Sequence, residues 1–389
     1  MKKKIAILGS TGSIGQNTVK IIQTNKKDFN VIFLSSNNNI KKLFKQSIKL
    51  KPKAVIIFNK EKYNKFKYKF SKRKIKVFNS FNDLKSSIIK KKIDYIMCAI
   101  SGLAGLDSTI NSISSTKNIA IANKESIICG WDIISKQINK YKTKLLPVDS
   151  EHFSIMELTK NLRDDDVKEI IITASGGPFL NIPKKKLNNI KPKQAIKHPN
   201  WKMGKKISVD SANLMNKVFE VIEASKIFNF NSSKYKIMIH PQSYVHSIIR
   251  FSNGLIKMIL YDTDMKIPIS NTLYGRKNNF SNVKKIDAKI LNKLTFQNVN
   301  KKKFPSINLI NKCLTLGALA PTIVNASNEV LVNLFLSKKI RFLDIVKTIE
   351  KIISDKDFKK YATRKPISIK DIKISDNWAR LKTLVMCVR

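Results

Sequence analysis

The sequence predicts an α/β protein in three parts: an N-terminal Rossmann-like domain, a central α+β domain and a C-terminal helical domain. Three observations carry this expectation. Short apolar runs alternate with helical patterns over the first 147 residues, starting with a glycine turn between the first strand and the first helix. Apolar strands such as Lys236-Ile237-Met238-Ile239 and Leu255-Ile256-Lys257-Met258-Ile259-Leu260 then accompany a dense series of polar motifs. Further on, Phe342, Ile345, Val346, Ile349 and Ile352 recur at helical spacing, which plain core packing explains. A chain of 389 residues is too long for one ordinary core. The divisions fall at 1–147, 148–275, a Lys/Asn-rich linker over 276–303, and 304–389, with no visible internal repeat.

The first part opens with the apolar run Ile5 to Leu8, followed by Gly9-Ser10-Thr11-Gly12-Ser13-Ile14-Gly15, a helical pattern, and the strand Val31 to Leu34. The glycines follow G-x-x-G-x-x-G rather than the commoner G-x-G-x-x-G, but the physics is shared. Glycines let backbone approach a pyrophosphate, and a helix N-terminus offers free N–H groups. Such a turn can be only a turn; its place in the first βαβ unit makes it a nucleotide-site candidate. An NAD-specific fold places an acid at the end of the second strand. Here Ser35-Ser36-Asn37-Asn38-Asn39 is followed by Lys41-Lys42, with no carboxylate to repel a 2′-phosphate, so NADPH is favoured over NADH. Two more buried strands follow, Ile93 to Ile100 and Ile119 to Ala122. The second ends in Asn123-Lys124-Glu125-Ser126, and polar residues just past strand ends face the ligand crevice of an open α/β sheet. A solvated loop is the ordinary alternative for Lys124 and Glu125.

At the start of the central part, Leu145 to Val148 reads as a strand end followed by Asp149-Ser150-Glu151. Residues two apart share a face in extended chain and diverge by about 200° on a helix. The two acids therefore converge on one cation only at the strand's end or in the turn. A helix-capping pair before Phe153 is an equally good local reading, and a third acidic metal ligand has to come from elsewhere. Downstream lie Ala174-Ser175-Gly176-Gly177-Pro178-Phe179, His198-Pro199-Asn200-Trp201-Lys202-Met203-Gly204, and Ser208-Val209-Asp210-Ser211 leading to Asn216-Lys217-Val218-Phe219-Glu220. Ser211 is placed to start a helix, with Lys217 and Glu220 on one face, where a surface ion pair is the bland reading. Serines, an Asn and a Lys together are what a phosphate site uses. Trp201, among Pro, Asn, Lys and Gly, reads as the tip of a lid loop spanning about 176–206, or else as a core residue.

Composition excludes little. The net charge is +48, from 75 Lys+Arg against 27 Asp+Glu. A nucleic-acid binder is one explanation. Lysine, asparagine and isoleucine, whose codons are rich in A and T, abound together, so base composition is the simpler one. The lysines are spread along the chain, and no aromatic-interleaved basic motif stands out. No stretch approaches the ~20 apolar residues of a membrane span. The opening apolar run is too short for a signal peptide, so a cytoplasmic protein without a membrane partner is expected. The four cysteines form no CxxC pair, against both a disulfide framework and a zinc site.

Taken in order, these segments, together with Val148-Asp149-Ser150-Glu151-His152, His240-Pro241-Gln242-Ser243 and Asn325-Ala326-Ser327-Asn328-Glu329, resemble the 1-deoxy-D-xylulose 5-phosphate reductoisomerases across nearly the whole chain. The run from His198 to Ser211 is the specific part; the glycine turn alone is not. The resemblance implies an NADPH-binding first domain, a central catalytic and dimerisation domain, and NADPH- and metal-dependent conversion of the ketose phosphate to 2-C-methyl-D-erythritol 4-phosphate for isoprenoid precursors. It further implies Asp149, Glu151 and Glu220 as ligands of Mg2+ or Mn2+, with Co2+ a further candidate, and Lys124 with them as catalytic groups. Ser175, Ser211, Asn216 and Lys217 match groups that hold the phosphate and neighbouring hydroxyls; Ser150 and Lys124 match residues at the keto-alcohol end. His198, Trp201 and Met203 lie on the closing loop, and His246 and Met265 line the site near the nicotinamide. Cofactor contacts are implied for Gly9, Ser10, Thr11, Gly12, Ser13, Ile14, Ser36, Asn37, Asn38, Asn39, Asn123, Glu125, Gly204 and Met265. A homodimer is implied, with a small sugar phosphate as the partner molecule and no nucleic acid.

Four departures from the family pattern stand out. Asn37 replaces a glycine, and asparagine is among the few residues that also visit positive φ. Val218 replaces a glycine, Leu260 to Lys266 lacks the usual Gly, Pro and Arg, and Gly275 replaces a proline. Two competing readings remain at this level. Another NADPH- and metal-dependent sugar-phosphate dehydrogenase would not explain the Trp-bearing loop beside the Ser/Asn/Lys cluster. A basic nucleic-acid binder would not need three separated carboxylates.

Overall fold

The computed structural model describes residues 2–201, 203–275 and 287–387, in two compact units: 1–149 with 264–281, and 150–263 with 282–389. The linker expected at 276–303 lies outside the described residues up to 286; beyond that it holds only a single helical turn and a two-residue strand.

The first unit is a seven-stranded parallel sheet. Its strands are β1 Lys3–Leu8, β2 Phe29–Ser36, β3 Ala54–Ile57, β4 Lys76–Phe78, β5 Ile93–Cys98, β6 Thr116–Ile121 and β7 Lys144–Pro147, in the order β4-β3-β2-β1-β5-β6-β7. Residues such as Ile5, Ala6, Ile7, Val55 and Ile96 are buried, as expected of strands covered on both faces. Helices α1 Ser13–Thr24, α2 Ile40–Leu50, α3 Lys60–Ser71, α4 Phe81–Ile88, α5 Ala104–Ile113 and α6 Lys124–Tyr141 provide the crossovers. The strand order reverses between β1 and β5, so the ligand crevice of such a sheet opens above the ends of those two strands. On α3, lysines interleave with Tyr63, Phe66 and Tyr68, which corrects the expectation that the chain carries no aromatic-interleaved basic motif. Several of these rings pair with the helix's own cations, as Lys67 does with Tyr63 at 5.7 Å and Lys72 with Tyr68 at 4.7 Å.

The second unit carries α7 Ser150–Leu158 and a five-stranded mixed sheet. Its strands are β8 Val167–Ala174, β9 Tyr235–Ile239, β10 Val245–Phe251, β11 Ile256–Leu260 and β12 Gln297–Asn298, in the order β11-β10-β8-β9-β12. β8 and β9 run parallel, and the other pairings are antiparallel. Between β8 and β9 lie the short α8 Pro192–Ala195, then α9 Lys205–Ala212 and α10 Met215–Ile227. α11, Lys266–Tyr274, belongs to the first unit; α12, Ala288–Leu291, follows in the second. The chain closes with α13 Leu309–Thr315, α14 Ala320–Leu336, α15 Asp344–Ile353, α16 Phe358–Ala362 and α17 Ile369–Cys387. Ile345, Val346, Ile349 and Ile352 form the buried stripe of α15, as their spacing requires; Phe342 is buried just before that helix.

Three local expectations change. Ser211 does not start a helix: it lies in the last turn of α9, and α10 begins after Leu214, whose φ of +61° breaks the two helices apart. Asn37 is not among the residues with positive φ, so no left-handed turn is asked of it. Gly275 ends α11 at φ +64°, an angle that the proline of the family pattern cannot adopt. Among the described residues, no helix is long and apolar enough to cross a membrane.

Candidate active site

In the first unit, the turn after β1 is fixed by a close approach. Gly9 has φ +80°, and a Cβ there would lie 2.5 Å from the Ala99 carbonyl oxygen beyond β5. The Gly9 amide donates to Ser35 Oγ at 2.8 Å, and the Thr11 and Ser36 hydroxyls meet at 2.9 Å. The Ser10 side chain is fully buried and tied to the Ser35 carbonyl and to Gln46; its amide donates to the Ser35 carbonyl at 2.9 Å and its carbonyl accepts from Gln46 Nε2 at 2.8 Å, so Ser10 holds the turn. α1 starts at Ser13 with no side-chain cap, and Gly12 and Ser13 are exposed. Uncapped N–H groups at such a turn suit a pyrophosphate. At the end of β2, Asn39 caps α2, and Asn38 is gripped by a residue the sequence reading missed. Lys62 of α3 donates to the Asn38 carbonyl and Oδ1 at 3.1 and 3.2 Å. An acid-free strand end with a lysine pinned over it suits a 2′-phosphate.

Asn123 is buried and caps α6 by accepting from the Ser126 amide at 2.7 Å; its Nδ2 donates to the Ile100 and Gly102 carbonyls. It therefore latches the turn after β5 to the head of α6. Lys124 and Glu125, in the first turn of α6, are half-buried, and Lys124 Nζ reaches Asp149 Oδ2 at 2.5 Å. Met265 takes the cap position of α11.

Asp149 directly precedes α7, so capping-type placement and a metal site coincide. The carboxylates of Asp149, Glu151 and Glu220 offer ligand atoms that all lie within 4.8 Å of one another. Glu151 sits in the first turn of α7 and Glu220 one and a half turns into α10. The two helices are joined by His152, whose Nε2 lies 2.9 Å from the Glu220 carbonyl, a role that nothing in the local sequence signals. Lys217 Nζ lies 2.6 Å from both Glu151 Oε1 and Glu220 Oε2, a buried bridge rather than the surface pair that was the bland expectation. Burial alone would lower the Lys217 pKa, but the two carboxylates outweigh it and hold the ammonium above its ordinary value. Asn216 Nδ2 donates to Glu220 Oε1, and Ser150 Oγ donates to Glu151 Oε2 at 2.5 Å. An all-carboxylate donor set matches a hard, oxygen-seeking divalent cation such as Mg2+ or Mn2+. Val218, in place of the family glycine, is fully buried on the core side of α10.

Beside this cluster the chain turns sharply at Gly176 and Gly177, with φ +80° and +66°. A Cβ on Gly177 would come within 2.8 Å of the Ser211 carbonyl, so this turn brings Ser175 to the end of α9. Ser175 Oγ lies 2.9 Å from His198 Nε2. His198 Nδ1 accepts from the Asn200 and Trp201 amides at 3.1 and 2.9 Å, which places the ring proton on Nε2, donating to Ser175. Desolvation, with Lys217 adding to it against Glu151, lowers the His198 pKa to about 4, so the ring is neutral at pH 7. Trp201 packs edge-on against His246 at 6.0 Å; His246 stacks on Tyr261 at 4.1 Å; and the Tyr261 hydroxyl donates to the Ser150 carbonyl at 2.6 Å. This aromatic relay runs from the tip of the 176–206 loop to the turn bearing Ser150 and Glu151. Tyr261 is a second residue the sequence reading missed. Met203 and Gly204 precede α9, with Gly204 exposed at its cap position.

Comparison with known proteins identifies the family. The family model for 1-deoxy-D-xylulose 5-phosphate reductoisomerase matches residues 5–130; the models of the C-terminal domains of the same enzyme match 145–228 and 260–382. The 1-deoxy-D-xylulose 5-phosphate reductoisomerase of Pelagibacter ubique is 48% identical over 390 residues, covering 99% of this chain and 100% of that protein. The enzyme of Caldanaerobacter subterraneus is 40% identical over 354 residues, 91% of this chain and 92% of that one. Among solved structures, the Zymomonas mobilis reductoisomerase in complex with NADPH superposes with a TM-score of 0.91 at 33% identity, covering all of both chains. A DOX-P reductoisomerase in complex with NADPH, fosmidomycin and magnesium gives 0.92 at 30% identity, covering 99% and 98%. The chain belongs to the 1-deoxy-D-xylulose 5-phosphate reductoisomerase family.

Proposed function

We propose that this chain converts 1-deoxy-D-xylulose 5-phosphate to 2-C-methyl-D-erythritol 4-phosphate, using NADPH and a divalent cation. The observation that carries the reading is the convergence of Asp149, Glu151 and Glu220, ligand atoms within 4.8 Å, beside Asn216 and Lys217 on the same α10. When bound, the cation supplies Lewis acidity to the neighbouring carbonyl and hydroxyl oxygens of the ketose, and NADPH supplies the hydride that reduces the rearranged aldehyde.

The rest of the work falls on the protein. Ser175, Ser211, Asn216 and Lys217 bind the phosphate. His198 donates to Ser175 Oγ and so leaves the serine proton free to point at a phosphate oxygen. Ser150 and Lys124 orient the keto-alcohol end against the carboxylates. The loop carrying His198 and Trp201 closes over the substrate, excludes water and converts phosphate binding energy into orientation at the reacting carbons. In the first unit, the Gly12 amide closes the turn onto the Gly9 carbonyl at 3.1 Å, the amides of Ser13 and Ile14 take the pyrophosphate, and the Ser36 to Asn39 turn takes the 2′-phosphate. Met265, at the head of α11, serves the nicotinamide end.

The 304–389 helices form the C-terminal helical domain, packed within the second unit, and the protein works as a cytoplasmic homodimer. Leu255, Ile256 and Met258, exposed at the sheet-edge strand β11, are the apolar surface that supports the dimer. Purified protein mixed with 1-deoxy-D-xylulose 5-phosphate, Mg2+ and NADPH will show substrate-dependent loss of nicotinamide absorbance that chelation stops. Absence of that loss overturns the reading. A straight-chain product would instead indicate a different sugar-phosphate dehydrogenase.

A further inference from the structure

The motif Asn325-Ala326-Ser327-Asn328-Glu329 has no part in the chemistry above. It lies inside α14, where Asn325, Ser327 and Asn328 are all fully buried. Such positions are ordinarily apolar, because a buried polar atom without a partner carries its whole desolvation penalty. Here both amide atoms of Asn325, the Ser327 hydroxyl and Asn328 Oδ1 have no hydrogen-bond partner among the described residues. One bond from this row reaches α9: Asn328 Nδ2 donates to Asp210 Oδ1 at 2.8 Å. Asp210 is itself only 2% exposed. Its other oxygen lies 3.3 Å from Lys206 Nζ, and that ammonium sits 5.5 Å from the Phe219 ring on α10. The Asp210 carboxylate is thus the hub of a buried polar knot that ties α14, α9 and α10 together.

What the knot holds is the junction that carries the phosphate groups. Ser211 is the next residue. Leu214, three residues further on, adopts φ +61° and launches α10 with Asn216, Lys217 and Glu220 in its first turns. The junction is stapled twice more: Asn213 Oδ1 accepts from the Met215 amide at 3.0 Å, and Ser306 Oγ donates to the Asn213 carbonyl at 2.5 Å. A leucine in the left-handed region stores strain that its surroundings must impose.

We propose that Asn328 and Asp210 are positioning residues for the substrate phosphate. Their buried amide–carboxylate bond fixes the angle at which α9 hands over to α10, and so sets Ser211 in register with Asn216 and Lys217. A brace serving only the core would be better made from apolar side chains, which leave no orphaned amides. The proposal rests on the reading that these three residues bind phosphate.

The test uses Asn328→Leu, Asn328→Ser and the exchanged pair Asp210→Asn/Asn328→Asp, which restores one amide–carboxylate bond with the partners reversed. Wild-type turnover of 1-deoxy-D-xylulose 5-phosphate checks the underlying reading separately. In the two single variants, KM for that substrate rises about tenfold, the kinetic equivalent of one lost phosphate hydrogen bond, with a smaller change in kcat. The dissociation constant for NADPH, read by cofactor fluorescence, stays unchanged. In the exchanged pair KM returns to within about threefold of wild type. A variant that loses melting temperature while KM is unchanged overturns the proposal, as does a parallel loss of NADPH affinity or an exchanged pair no better than the single variants. If Asn328→Leu does not fold, Asn328→Ser and the exchanged pair decide the matter alone.

Discussion

Acidification from pH 7.5 to 5 tests the His198 arrangement directly. Nδ1 is committed as an acceptor to two backbone amides, at 3.1 and 2.9 Å, so protonation there breaks both bonds. The folded pKa is depressed from 6.5 to about 4, hence the unfolded or open loop binds the proton first. The stabilisation is complete above pH 6.5, declines as pH falls through the window from 6.5 to about 4, and is gone below it. At pH 5 the full shift corresponds to about 2 kcal/mol; because His198 is only half-buried, solvent screening reduces this to about 1 kcal/mol. That is enough to raise the open fraction of the loop about fivefold while the rest of the unit stays folded. Long-range 1H–15N NMR of the four histidines reports both the tautomer and the titration. The expected spectrum has the His198 proton on Nε2 at pH 7 and a midpoint well below 6. A midpoint at or above 6.5, or an Nδ1-protonated ring at neutral pH, would refute the reasoning.

Four further outcomes are expected. Glu220→Gln removes one charge from the three-carboxylate group, and kcat falls by at least 100-fold, beyond the ~10–100-fold typical of an outer partner of a metal ligand; NADPH affinity, measured by fluorescence, is kept, and retained turnover would remove Glu220 from the metal site. Gly9→Ala forces a Cβ to within 2.5 Å of the Ala99 carbonyl at φ +80°, costing about 2–4 kcal/mol in denaturant melts together with loss of NADPH binding; an unchanged melt would mean the turn can relax. Lys62→Ala weakens NADPH binding about fivefold, the value of an exposed ionic contact of about 1 kcal/mol, and leaves NADH binding unchanged; equal effects on both cofactors would exclude a 2′-phosphate role. Trp201→Ala cuts the aromatic relay to His246 and Tyr261, raising the substrate KM without changing NADPH affinity in the absence of substrate; a normal KM would leave the ring with no part in closure.

The sequence was most legible where chemistry follows local spacing. The glycine turn, the acid-free end of β2 and the strand alternation of the first unit all depend on neighbours within a few residues, and periodicity carries that information. The carboxylate pair at 149 and 151 was ambiguous for a physical reason: the same turn both precedes a helix and points two acids together. The ambiguity ended only with Glu220, which the His152–Glu220 bond and the packing of α10 bring to it. The α9–α10 break was not legible, because nothing in Leu214 itself favours a positive φ; the stapling of Asn213 by Ser306 imposes it from far along the chain. The relay Trp201–His246–Tyr261 likewise has no shared sequence signal: the pairing of β10 with β11 brings 246 near 261, and Asn200, bonded to the Pro241 carbonyl and Ser243 Oγ, holds the neighbouring Trp201 beside them. Lys62 was hidden among lysines, and only its hydrogen bonds to Asn38 separate it from the other cations of α3.

The central claim is that one site both rearranges and reduces the sugar phosphate. Its most direct test is to incubate the purified protein with 1-deoxy-D-xylulose 5-phosphate, NADPH and Mg2+, and to identify the product by NMR while counting the NADPH consumed. The account predicts 2-C-methyl-D-erythritol 4-phosphate in equimolar amount with NADP+, and none after chelation of the metal. A product with an unbranched carbon skeleton, or NADPH loss that survives removal of the metal, would contradict it.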